Sequence, residues 1–315
     1  MMLNDDPKIT VLLATFNGAK YLKEQLGSLY LQSKKIDQVL VVDDGSSDNS
    51  VELVQSFINE HELFNSWKVK INNINLGPAA NFINMCKEAE GDYIFFCDQD
   101  DIWMPDKIER MSNIIKNNPD IGLLYADVIN MVNLDNKPHF ATQFSEEVKR
   151  IDFSASNYFY KGLGCATCIT KEFMNHVIKY WTLGWEHDMF FWACSILLKK
   201  GYKYSSPVIW RRIHTSNVSI HELKTLEKRR IQIRNSLNRP LKMKELLKDN
   251  NINDDEKLKF LDGYEKTLKR RYEALMNRNI GLAVYNLIYG KDYYLYREKG
   301  AMLDLVLIIF GKYSI

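Results

Sequence analysis

The segment 92–103, DYIFFCDQDDIW, runs through five consecutive apolar or aromatic residues and then sets Asp98, Asp100 and Asp101 within four positions. Carboxylates crowded in this way repel one another, and each raises its neighbours' pKa unless a cation lies between them. The run reads as a buried strand, and its end reads as a place for positive charge.

Working outward, the same pattern recurs. KITVLLAT (8–15) is an apolar run closed by Phe16-Asn17-Gly18, and AKYLKEQLGSLYLQS (19–33) carries helical spacing through Leu22, Leu26, Leu29 and Tyr30. DQVLVVDDGSSDNS (37–50) is a second buried strand ending on two aspartates, with Ser47 or Asp48 placed to cap the helix VELVQSFINEH (51–61). WKVKINN (67–73) reads as a third strand, AANFINMCKEAE (79–90) as a helix and DYIFFCDQDD (92–101) as the fourth strand. A helix at 105–118, a strand at 121–131, irregular aromatic-rich chain at 133–160, helices at 171–181 and 187–200 and a strand at 202–210 follow. Strands alternating with helices predict an α/β fold with a mainly parallel sheet and helices on both faces. Ligands of such sheets gather beyond the carboxyl ends of the strands, so Asn17, Asp43, Asp44, Asp98 and Asp100 are expected to converge on one crevice.

The 315 residues suit one domain plus an extension, and 46% hydrophobic with 26% charged residues is ordinary for a globular chain. The net charge of +2 hides an asymmetry. Residues 1–219 hold 22 Lys and Arg against 27 Asp and Glu, whereas residues 220–315 hold 20 against 13. A division into 1–220 and a basic, mostly helical extension at 221–315 follows, with an anionic surface as the extension's natural neighbour. Nucleic acid is not expected as a partner. Met1 to Pro7 is short and acidic, unlike a secretory signal. Five scattered cysteines fit a reducing compartment, and Cys165 and Cys168 read as small buried residues because no second CxxC or His pair completes a zinc set. A cytoplasmic location is expected.

Asp98-Gln99-Asp100-Asp101 suits a hard divalent cation, Mg²⁺ or Mn²⁺, whose shell a diphosphate completes, although an acidic helix cap has the same sequence. Asp43-Asp44-Gly45-Ser46 is either a capping turn or a pair of acceptors for a pyrimidine imide and ribose hydroxyls. Thr15-Phe16-Asn17-Gly18 and Asn75-Leu76-Gly77 add backbone amides and an aromatic face. Neither GxGxxG nor GxxxxGK[ST] occurs in the sequence.

Taken in order, LLATFNG, VVDDGSSDNS, NLGPAANF, GDYIFFCDQDDIWMPDK, GLGC and EHDMFFW resemble family 2 glycosyltransferases of the GT-A fold over roughly residues 7–220. DQDDIW and RRIHTSNVS resemble bacterial polysaccharide enzymes, rhamnosyltransferases among them. The resemblance implies an inverting, metal-dependent transfer of rhamnose or a hexose from a dTDP- or UDP-sugar to a glycan, lipid-linked, in surface polysaccharide synthesis. It implies a donor nucleotide site at Thr15, Phe16, Asn17, Asp43, Asp44, Gly77, Asn81, Asp98 and Gln99, with Asp44 at the nucleobase and Phe16 packed on or beside it. Asp100 is implied as the direct ligand of Mn²⁺ or Mg²⁺, His214 as a second ligand or a plain core or surface histidine, and Asp188 as the general base. Trp103, Gly164, Cys165 and His187 fall on the acceptor side. Arg211 and Arg212 either grip phosphate or end a strand in solvent. Many relatives carry a basic residue where this chain has Ala79 and Ala80, which removes one expected diphosphate contact.

In the extension, TLEKRRIQIRNSL, KTLKRRYEALMNR and the aromatic stretch 285–313 describe basic amphipathic helices. They suit peripheral contact with the cytoplasmic face of the inner membrane, or equally a lid or homodimer contact. A sugar nucleotidyltransferase would carry a glycine-rich basic phosphate loop after its first strand, and ATFNGAKYL does not. A catalytically silent nucleotide-sugar-binding or scaffold protein would have lost Asp100 or Asp188, and both are present.

Overall fold

The computed structural model describes residues 6–131, 144–159, 162–213, 225–294 and 298–311. The first part alternates as β1 (Ile9–Thr15), α1 (Ala19–Tyr30), β2 (Gln38–Asp43), α2 (Ser50–Glu60), β3 (Trp67–Ile71), α3 (Pro78–Cys86) and β4 (Tyr93–Asp98). Then come β5 (Ile102–Trp103), α4 (Lys107–Asn117), β6 (Leu123–Met131), β7 (Val148–Arg150), α5 (Ala155–Tyr158), β8 (Thr167–Thr170), α6 (Lys171–Val177), α7 (His187–Leu197) and β9 (Gly201–Arg212). Five helices close the chain: α8 (Leu226–Ser236), α9 (Arg239–Asp249), α10 (Asp255–Asn277), α11 (Ile280–Tyr289) and α12 (Glu298–Phe310).

One sheet of order β3-β2-β1-β4-β8-β6-β9-β5 carries the fold, with β7 on β9. The run β3-β2-β1-β4 is parallel, as the alternation with helices predicts. β8 then enters antiparallel between β4 and β6, so the sheet as a whole is mixed. β1 lies between β2 and β4, so successive connections leave it in opposite directions and open a switch-point crevice beyond its carboxyl end. The register sets Thr15 beside Asp43 and Ala14 beside Asp98. Three strand ends therefore finish level.

Side chains alternate across the sheet with period two. Leu12, Leu40, Ile94 and Phe96 face a core built with α3, α6, α7 and the closing helices. Val11, Leu13, Val39, Val41, Phe95 and Cys97 face the other core, against α1, α2 and α4. Burial on both faces explains why these strands read as unbroken apolar runs rather than as alternating ones.

The boundary expected at 220/221 lies within 214–224, outside the described residues. The first core runs through to Leu246, Leu261, Leu275 and Leu307, so the closing helices share an apolar interior with the sheet. Inside them, Asp304 accepts from Arg229 Nε at 2.5 Å and from Arg271 Nε at 2.8 Å, all three side chains being buried. Removing the acid from such a cluster leaves two guanidinium groups without a counter-charge. Asp304→Ala is expected to lower stability by about 3–5 kcal/mol in urea unfolding. A loss below about 1 kcal/mol would mean that water already solvates these guanidiniums.

Candidate active site

The loops beyond β1, β2 and β4 are tied together by side chains. Asn17, in the left-handed region at φ 49°, donates its N–H to Ser46 Oγ and accepts from Ser47 N. Asp48 accepts from Ala19 N and Ser50 N, so it holds the loop as well as the start of α2. Gln99 Oε1 accepts from Thr15 Oγ1 at 2.9 Å and Phe16 N at 2.8 Å, and Gln99 Nε2 donates to Phe16 O at 3.1 Å. A side chain at Gly18 would meet Gln99 Oε1 at 2.1 Å, so the contact requires glycine there.

Several residues expected at the donor turn out to build the crevice wall. Asp43 is fully buried and accepts from Gly45 N, Ser46 N and Ser46 Oγ, which closes its own turn. Asp44 is buried and accepts from Asn72 Nδ2, Leu76 N and Gly77 N, which shapes the loop before α3. A carboxylate offers about four lone-pair sites, so little of either remains for a base or a ribose. Asn81 is buried, with Nδ2 on Val42 O at 3.2 Å, and Thr15 is buried beneath Gln99. Phe16, Asn17, Gly77, Asp98, Gln99 and Asp100 reach the surface of the crevice, and Phe16 is 45% exposed.

The acid cluster has a structure that the sequence did not suggest. β8 runs antiparallel to β4, so the turn Gly164–Ala166 before it meets the end of β4 and the loop beyond. Ligand atoms of Asp98, Asp101 and Cys165 lie within 4.8 Å of one another. Burial, then the charges of Asp100, Asp101 and Asp188, hold the Asp98 carboxyl well above its ordinary range. Burial and Asp100 push Asp101 up to about 6, against the pull of Cys165 and Arg212 N. Burial also drives the Cys165 thiol far upward, so it stays protonated and donates toward the carboxylates. A cluster of this kind favours an added positive charge, and its carboxylate oxygens suit Mg²⁺ or Mn²⁺. The protonated thiol is a poor ligand for either. Asp100 is half-buried beside the pair. His214 lies outside the described residues.

Lys107, which sequence reasoning passed over, is fully buried under this loop. Its Nζ donates to Cys165 O at 2.6 Å and sits 3.3 Å from the Trp103 ring centroid. Burial lowers its pKa to about 8. Arg211 and Arg212 end β9 near the same acids, and Arg212 is buried and paired with Glu24.

Asp188 sits in the first turn of α7, half-buried, and its Oδ1 accepts from Met189 N at 2.7 Å. Burial pushes its pKa up to about 6, opposed by backbone N–H groups including that of Gly164. Asp98 feels its charge, which places the two carboxylates in one electrostatic neighbourhood. The acceptor-side expectations need correction. Trp103 is 1% exposed, Cys165 1% and His187 7%, so all three lie beneath the crevice surface. Gly164 is buried too, its open Cα face 3.0 Å from His187 Nε2 for any added Cβ. His187 packs against Phe82 and Phe96, with ring centroids 4.1 and 4.9 Å away.

Residues 10–184 match the model of Glycosyl transferase family 2, more than half of the chain. The chain belongs to this family. An uncharacterized glycosyltransferase of Nostoc sp., alr2836, is 24% identical over 67% of this glycosyltransferase family 2 chain and 66% of its own. The dTDP-rhamnosyl transferase RfbG of Shigella flexneri is 30% identical over 51% of this chain and 54% of its own. Among the first curated relatives the chain spans 44% to 66% of their length. Among solved structures, S. aureus TarS 1–349 in complex with UDP-GlcNAc aligns over 98% of this chain and 93% of that one, with TM-score 0.60 and 16% identity. The mannosyltransferase PcManGT of Pyrobaculum calidifontis, in complex with GDP-Man and Mn²⁺, aligns over 98% and 89% with TM-score 0.53 and 15% identity. At these identities the likeness is one of fold, the GT-A fold with a helical C-terminal region.

His187 gives the site a measurable signature. Burial among aromatic rings lowers its pKa from 6.5 to about 3, so it folds neutral and gains a proton on unfolding. Its contribution is complete above the unfolded pKa and is lost as pH falls from about 6.5 toward 3. His187→Leu is expected to flatten the acid limb of stability by about 1.4 kcal/mol per pH unit between roughly pH 6 and pH 4. Urea unfolding at those two pH values tests it, and parallel limbs would place the ring in contact with water.

Proposed function

We propose that the protein is an inverting glycosyltransferase that moves a sugar from a nucleotide-diphosphate donor to a hydroxyl of a glycan, lipid-linked, in polysaccharide synthesis. The observation that carries this reading is the placing of Asp188 against the Asp98–Asp101 cluster at the mouth of the β1/β4 switch point. The half-buried Asp188, with its pKa raised toward neutrality, suits a base that takes the acceptor's proton as the hydroxyl attacks. Asp98, Asp100 and Asp101 would hold Mg²⁺ or Mn²⁺. A divalent cation there supplies charge neutralisation for a leaving diphosphate. Phe16 offers its exposed ring to the nucleobase, and Gln99 holds the Phe16 backbone in place beside it. A dTDP-rhamnose or a UDP-hexose is the donor this reading favours, in keeping with RfbG being a dTDP-rhamnosyl transferase and TarS binding UDP-GlcNAc.

Asn matches Asp in shape and accepts no proton at neutral pH. Asp188→Asn should therefore keep donor binding and lose about 10²–10⁴-fold in transfer. Transfer at the wild-type rate would leave the base unassigned. Nucleotide affinity, titrated with UDP and dTDP with and without EDTA, should fall on chelation in wild type and not in Asp100→Ala. Equal affinity in every case would reduce the acidic loop to a helix cap.

The extension, in this reading, rests on the membrane face. No helix among the described residues is long and apolar enough to cross a membrane. Ile280, Val284, Tyr285, Ile288 and Tyr289 of α11 and Met302, Ile309 and Phe310 of α12 are exposed large apolar side chains. Such a face, with Arg278 and Lys291 at the two ends of α11, fits the interface of an anionic bilayer. Wild type should sediment with anionic liposomes, less so at high salt, and Ile288→Asp with Phe310→Asp should release it. Failure to sediment, with a concentration-dependent dimer in solution, would instead assign the face to a second copy.

A further inference from the structure

The closing helices line an open-sided cavity of about 280 Å³ between α8, the start of α9, α10 and α12. That volume lies near the lower edge of ordinary small-ligand sites. Four cations line it, Arg229, Arg239, Arg271 and Lys299, and Leu268 and Leu303 form part of its apolar wall. Among the described residues, one carboxylate answers them: Asp304, whose oxygens are taken by Arg229 Nε and Arg271 Nε. Each oxygen of that acid is thus engaged by one guanidinium.

The remaining donors are only partly used. Arg229 completes itself on Gln232 Oε1 and Gly300 O. Arg239 donates one amino group to Gly184 O and lies over the Trp185 ring, while its buried Nε has no hydrogen-bond partner. Arg271 stacks 3.8 Å from the Tyr294 centroid, and Lys299 is exposed. Guanidinium groups withdrawn from water with a net positive balance are costly unless an anion joins them. Planar forks of this kind match phosphate oxygens in geometry as well as in charge.

We infer that this cavity binds a phosphate or diphosphate group through Arg239, Arg271 and Lys299. The group comes either from a free phosphate compound or from the head of a phosphorylated lipid. On α12, Lys299, Gly300 and Leu303 line the cavity while Met302 and Ile309 face outward, so a lipid phosphate could enter beside the exposed apolar face. The inference does not depend on sugar transfer, because the cavity lies outside the acidic crevice and shares no residue with it.

The test is calorimetric titration of the full chain with inorganic pyrophosphate in EDTA, which removes divalent cations from the acidic loop. Wild type should bind, more weakly as salt rises. Arg239→Gln should weaken binding by about tenfold, the worth of one charge-assisted hydrogen bond. Lys299→Gln, at the exposed mouth and harmless to folding, should weaken it as well, whereas Lys266→Gln and Asp100→Ala should not. Absence of binding, affinity unchanged in both cavity variants, or loss in Asp100→Ala would overturn the site. Co-sedimentation with phosphatidylcholine vesicles doped with phosphatidic acid separates the two sources. Retention that pyrophosphate reverses and Lys299→Gln weakens identifies a lipid head, and pyrophosphate binding without such retention identifies a free phosphate.

Discussion

Repulsion among Asp98, Asp100 and Asp101 is the constraint around which the rest of the site is arranged. Asp101 is buried and Asp98 half-buried just beyond a strand buried on both faces, where like charges interact strongly. Among the described residues the fold answers with the Cys165 thiol, Arg212 N and, one layer below, Lys107 bound to the Cys165 carbonyl. Each responder comes from a different part of the chain. β8 brings Cys165, the pairing of β5 with β9 brings Arg212, and the first turn of α4 brings Lys107. The antiparallel strand inserted into a parallel sheet thus brings a donor turn against the acid loop.

The first four strands were legible because burial on both faces writes itself as a continuous apolar run, and the level finish of their carboxyl ends follows from parallel pairing. Asp98 and Asp100 were legible as acids at such an end, and Asp188 only through the resemblance carried by EHDMFFW. The short strands were not: β5 has two residues, β7 three and β8 four, too few to show a period. Nor could spacing tell which way an acid points. Asp43 accepts from N–H groups two and three residues on, a local pattern that competes well with any ligand, whereas Asp44 accepts from Leu76 and Gly77, a long-range contact that spacing does not encode. His187 stands next to Asp188, yet the turn of a helix sends one to the crevice and the other between Phe82 and Phe96. Cys165 was read correctly as small and buried, but its place among the carboxylates is a long-range contact that no local pattern encodes.

The two charge imbalances of the chain have opposite sign and different origins. Among the described residues, carboxylates gather in the crevice, and guanidinium groups gather about one acid among the closing helices. Both lie where solvent is partly excluded, so neither is neutralised cheaply by water or salt. The asymmetry seen in composition, acidic in front and basic behind, is therefore not spread evenly over the surface but concentrated in part at two interior places.

Those two places are mechanically joined. The segment leading to Asp188 passes through Gly184 and Trp185, and both are gripped from the closing helices. Arg239 donates to Gly184 O and lies over the Trp185 ring. Gly184 has φ +79°, and a side chain there would strike Asn235 of α8 at 2.8 Å. Close packing of backbone on Asn235 thus fixes the path of the chain three residues before α7 begins. Gly164 packs on His187 and Asp188 from the other side, leaving room for no Cβ beyond about 3 Å. The carboxylate at the head of α7 is set between these two close approaches, one from the sheet and one from the basic helices. Its position is accordingly a property of both parts of the chain, and the extension acts as a wall of the active-site scaffold as well as whatever surface it meets outside.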